Sequence, residues 1–141
     1  MAYKNHDVIH SFAFLYVAFA HLTDGEIHKD EWKSIGGKVY GWLKGFDNDV
    51  TGDGNIDGND VAHVVFDVVG PYYDSMDNDG RISEFNRIIE MHKAQDWFTD
   101  DLATNVVKDL ENLAQADGKL HENEQKWLNT IANQYGISVP A

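Results

Sequence analysis

The segment Asp49-Val50-Thr51-Gly52-Asp53-Gly54-Asn55-Ile56-Asp57-Gly58-Asn59-Asp60 decides how the chain is read. Four aspartates are interleaved with Gly, Asn and Thr, which is loop chemistry. A solvated helix face would instead draw on Glu, the better helix former. Gly54 permits a sharp turn, Ile56 points back toward a core, and Asp60 falls in the first turn of the helix that follows. The surroundings sharpen the picture. Between Lys44 and Arg81 there is no Lys or Arg, yet nine of the 17 aspartates lie there. Crowded like charges destabilise a compact state unless something neutralises them. A bound cation does so; an acidic, solubilising loop is the other reading of the charge alone.

Outward from this segment, one pattern recurs: Asp-Gly-x-(Ile/Leu)-x-x-x-acid. It appears as Asp24-Gly25-Glu26-Ile27 with Glu31, as Asp53-Gly54-Asn55-Ile56 with Asp60, and as Asp117-Gly118-Lys119-Leu120 with Glu124. A fourth copy, Asp79-Gly80-Arg81-Ile82, has Asn86 in place of the acid. Apolar spacing puts each copy between two helices. His6 to Leu22 is apolar almost all round and reads as the central helix. Lys29 to Lys44 carries Trp32, Ile35, Val39, Trp42 and Leu43, and Gly36, Gly37 and Gly41 either weaken it or let another helix approach. Asn59 or Asp60 to Val69 brings Val61, Val64, Val65 and Val68 inward. Its valines also suit a strand, but the loop before it favours a helix stopped by Gly70-Pro71. Ser83 is expected to cap a helix reaching about Trp97. Thr99 caps the next, with Leu102, Val106, Leu110 and Leu113 inward. The last runs from His121 or Glu122 to Tyr135, with Gly136 as its C-cap. The expectation is one all-α domain over 1–141, with about six or seven helices.

Composition bounds the function. The chain has 141 residues, 24 acidic against 11 basic side chains, and a formal charge of −13. That balance argues against a nucleic-acid binder, which needs a basic footprint, and against docking on an anionic membrane. The absence of cysteine removes disulfides, thiolate metal sites and thiol catalysis. No apolar run approaches the roughly 18 residues of a membrane span. The N-terminus does not read as a signal peptide, so a cytoplasmic location is expected. No phosphate loop, HExxH or Ser-His-Asp spacing is visible, so the chain does not read as an enzyme. His6 and His10 stand at i, i+4 and read as surface or partly buried histidines rather than transition-metal ligands. The four tryptophans fall at core spacings.

The central segment resembles an EF-hand loop, in which oxygen ligands come from positions 1, 3, 5, 7, 9 and 12 and Gly stands at 6. It is especially similar to loops of bacterial dockerin-type modules, which also end in Asp. The resemblance implies a first site built from Asp49, Thr51, Asp53, the Asn55 carbonyl, Asp57 directly or through water, and Asp60. Thr51 replaces Asp or Asn, and Asp60 replaces the bidentate Glu. These departures weaken Ca²⁺ selectivity and leave Mg²⁺ open. A degenerate second loop, Ser75 to Asn86, implies an irregular site from Asp74, Ser75, Asp77, Asp79, the Arg81 carbonyl, Ser83 and Glu84; its other reading is a capped turn. The EF-hand-like pair covers about 38–97.

The outer copies resemble segments of tellurite-resistance TerB-like domains, where Ala-x-x-Asp-Gly-x-Ile-x-x-x-Glu occurs near each end of a helical domain. Ala114 matches its Ala, while the first copy has His21 there; the likeness covers about 8–44 and 99–137. It implies an acidic helical module of bacterial stress-response systems that binds divalent cations. The acids Asp24, Glu31, Asp117 and Glu124 read first as turn and cap residues. The functional expectation is a cytosolic Ca²⁺ sensor, buffer or metal-stabilised interaction module with a protein partner. The alternative is a TerB-like partner-binding scaffold whose cation is only structural.

Overall fold

In the computed structural model, residues 8–24, 29–45, 54, 56–96, 98–115 and 122–137 are described. All the regular structure among them is helical: α1 (Val8–Asp24), α2 (Lys29–Gly45), α3 (Gly58–Ala62), a π-helical run (His63–Val69), α4 (Gly70–Asp74), α5 (Asn78–Lys93), α6 (Asp100–Ala114) and α7 (Glu122–Tyr135). The π run joins α3 to α4 without a break, so these pieces make six rods. The expected all-α fold is what forms.

α1 is the axis of the molecule. Every side chain from Ile9 to Ala20 is buried, polar His10 and Ser11 included. A helix that is apolar nearly all round must be covered all round. Accordingly α2, the π run with α4, α5, α6 and α7 all contact it. Contacts of α2 with α3, α2 with α6, α6 with α7, and α5 with α7 close the shell around it. Each outer rod contributes one stripe to the core, such as Ile35, Val39 and Leu43 from α2, or Val106, Leu110 and Leu113 from α6.

The helix ends carry their sequence signals. Thr99 Oγ1 accepts from the Leu102 N–H at 3.3 Å and caps α6. At the end of α7, Gly136 has φ +79, and Ile137 N–H donates to Ala132 O at 2.9 Å. With Gly136 N–H on Asn133 O, this is a Schellman ending.

Two expectations are corrected. Gly70-Pro71 does not stop the third helix. The Gly70 N–H donates to Val65 O, five residues back, so the wider π register carries the chain up to Pro71. Pro71 then falls in the first turn of α4, where a missing N–H is tolerated. Nor does Ser83 begin α5. Asp77 caps it and Asn78 starts it, five residues earlier than Ser83. Of the valines expected inward, Val64 and Val65 are buried with Val69, while Val61 and Val68 are half-buried.

Candidate metal centre

Four of the six expected ligands of the first loop, Asp49, Thr51, Asp53 and Asn55, lie outside the described residues. The closing half of the loop is described. Gly54 has φ +87, a left-handed conformation that side chains disfavour, at the sharp turn of the loop. Ile56 packs against the core. Asp57 has extended backbone and caps α3, its carboxylate accepting from Asn59 N–H at 3.0 Å. Asp60, the third residue of α3, is wholly buried, and its Oδ2 accepts from the Asp57 N–H at 2.9 Å. The two acids thus form a reciprocal capping box. A carboxylate has about four acceptor positions, so capping and cation ligation are compatible in one side chain.

The other repeats share this placement. Glu31 is the third residue of α2 and Glu124 the third of α7, and both are buried. A buried acid so near a helix N-terminus is favoured by the exposed N–H groups and the positive end of the dipole. The remaining repeat residues around the turns, 25–28 and 116–121, fall outside the described residues.

The second loop differs from an EF-hand loop. Only Ser75, Met76 and Asp77 connect α4 to α5; what was read as the rest of the loop is helix. Asp77 Oδ1 accepts from Gly80 N–H at 2.8 Å. Asp74, Ser75, Asp79 and Ser83 are exposed, and Ser75 Oγ donates to Tyr72 O at 2.6 Å. The Arg81 guanidinium lies 4.2 Å over the Tyr73 ring and donates to Tyr73 O and Asn78 Oδ1. Glu84 is buried and holds Arg87 through two hydrogen bonds of 2.6 and 2.7 Å, while Tyr72 OH donates to it at 2.9 Å. Burial first, and this bond to Glu84 second, push the Tyr72 phenol up to about 12. Asp77 and Glu84 stand seven residues apart on one helix, about 10 Å of rise. Among the described residues no three His, Asp or Glu side chains gather in a way that would hold a metal. Asp77 serves as a helix cap and Glu84 as an ion-pair partner, in keeping with the capped-turn reading of this loop.

Two buried polar clusters had no signal in the sequence. Ser11 Oγ and His92 Nε2 share a 2.8 Å hydrogen bond, and His92 Nδ1 and Tyr135 OH one of 3.0 Å. Burial pushes the imidazole down to about 3, so it is neutral. All three are sealed from solvent, which makes this a core polar link rather than a reactive dyad. Elsewhere Tyr16 OH donates to Asp109 Oδ2 at 2.6 Å, and Trp42 Nε1 donates to Tyr16 OH at 2.6 Å. Burial raises the Asp109 carboxyl above its ordinary range, against the opposing effects of that hydrogen bond and of Lys38.

Comparison with protein-family models, curated proteins and solved structures finds no match to this chain.

Proposed function

We propose that the chain is a Ca²⁺-binding helical module, non-enzymatic, in which one ion occupies the loop Asp49–Asp60 and fastens α2 to α3. The observation that carries this reading is the closing half of that loop. A left-handed Gly54, an N-cap Asp57 and a buried Asp60 stand in the order that an EF-hand loop requires at positions 6, 9 and 12. The sequence adds Asp49, Thr51, Asp53 and the Asn55 carbonyl. Four carboxylates around one site suit a hard divalent cation, and Asp60 in place of Glu admits Mg²⁺ as a competitor. The second loop contributes helix capping.

A TerB-like scaffold with a structural cation is the second reading. It is favoured by the equivalent burial of Glu31, Asp60 and Glu124 at the third position of three helices. Calorimetric titration of chelator-treated protein with Ca²⁺ and with Mg²⁺ tests the first. One Ca²⁺ per chain is expected, lost in Asp53→Ala with helix content retained. Binding of neither ion below millimolar concentration would sink the proposal.

A further inference from the structure

Among the described residues, α2 is uncovered along one side. Gly37, Gly41 and Gly45 recur every fourth residue and so form one stripe. A Cβ on any of the three would meet no atom of the described residues within 4 Å, whereas one on Gly36 would touch Val61 at 3.7 Å. Gly36 therefore admits α3, and the other three face open space. That space is a cleft of about 730 Å³ between α2 and α6. It runs from Lys33 to Gly45 along one wall, about 18 Å of helix, and from Leu102 to Asn112 along the other, about 15 Å.

The cleft is cationic in an anionic molecule. Lys33, Lys38 and Lys108 line it, against one carboxylate, Asp109. That carboxylate is engaged inward through Oδ2 by Tyr16 and Trp42, and the charge of Lys38 also acts on it. Outside the cleft, three basic groups pair with acids: Arg87 with Glu84, Lys93 with Glu90, and Lys126 with Glu122. None of the three cleft lysines forms an ion pair with a described residue. In a chain of 24 acids and 11 bases, the described lining of this cleft carries three lysines and one carboxylate.

We propose that the α2–α6 cleft docks an acidic amphipathic helix of a partner protein. A helix suits the length, and the glycine stripe lets its backbone approach closely. Acids of the incoming helix would meet the lysines of the two walls, with an apolar side chain over Leu102 and Trp42. A nucleic acid matches the charge but would continue past the cleft onto an acidic surface. The proposal does not rest on the cation reading.

The test is fluorescence anisotropy with a labelled helical peptide of about four turns that carries Glu and Leu along one face, titrated with the full chain. Binding is expected, weakened at least about tenfold by Gly41→Leu and by the double charge reversal Lys38→Glu with Lys108→Glu. Gly41→Leu fills open space and raises helix propensity, so its melting temperature should not fall. Amide shifts should map to Gly37, Gly41 and Asn105. The proposal is overturned if no peptide binds, if Gly41→Leu binds as well as the parent, or if a lysine-for-glutamate peptide binds equally. Tighter binding of oligothymidylate, or self-association abolished by Gly41→Leu, would also overturn it.

Discussion

His92 shows what a single residue can decide in this fold. Its ring packs against both Phe12 and Phe98, with centroids at 4.6 and 5.0 Å, and is held by Ser11 and Tyr135. Burial lowers it to about 3, whereas in the unfolded chain it takes a proton at its ordinary value near 6.5. Between those values the unfolded state binds the extra proton, so stability falls as pH falls through that window. The slope from this one group is about 1.4 kcal/mol per pH unit. Asp109 has the opposite sign: its raised pKa favours protonation in the fold. Urea unfolding at pH 6 and pH 5 should therefore show a shallower acid loss in His92→Gln than in the parent. Equal slopes would mean that His92 is not held neutral. Nothing local in the sequence marks this residue, because its partners stand 81 and 43 positions away.

At the scale of elements, what was legible is what local chemistry controls. Thr99, Gly136 and Asp60 end or begin helices through bonds to their own neighbours, and the sequence declares them. Of the Asp-Gly repeat, the closing half of the central copy was legible for the same reason, whereas the fourth copy, Asp79 to Ile82, lies inside α5. The run through Gly70-Pro71 was not, because the pair ordinarily ends a helix, whereas here the π register takes the Gly70 N–H to Val65 O and leaves Pro71 in a first turn. The glycine there is tightly placed: a Cβ on Gly70 would lie 3.0 Å from Val65 O, which is backbone and cannot easily move. Gly70→Ala should cost about 1–3 kcal/mol in urea unfolding. Gly41→Ala, facing open space, should instead gain up to about 1 kcal/mol from helix propensity. The same substitution with opposite signs at two helical glycines tests the placement of both; loss at both would contradict the open face of α2. Asp57→Ala removes a cap and should cost about 1 kcal/mol without cation.

The whole molecule constrains how a bound ion can act. Because α1 is buried on every side and touches each rod, separating any rod from it exposes core surface. Exposed apolar area costs about 25 cal/mol per Å², so a wide EF-hand-type opening is disfavoured here. An ion in the Asp49–Asp60 loop would then stabilise the existing arrangement. Its charge also offsets part of the −13, most usefully where nine aspartates crowd one quarter of the chain. A ligand that binds only the folded state adds RT ln(1 + [L]/Kd), about 2.7 kcal/mol at a hundredfold excess over Kd. For a chain of this size that corresponds to roughly 10 °C in Tm. Calorimetric melts with Ca²⁺ and with chelator should differ by about that much, while binding of an apolar-surface dye stays the same. Asp53→Ala should abolish the difference, and the His92 and Gly70 variants should keep it, since neither is in the loop. A large rise in dye binding with Ca²⁺ would show that a rod does leave α1. The chain would then act by exposing a surface on cation binding rather than by being held in shape.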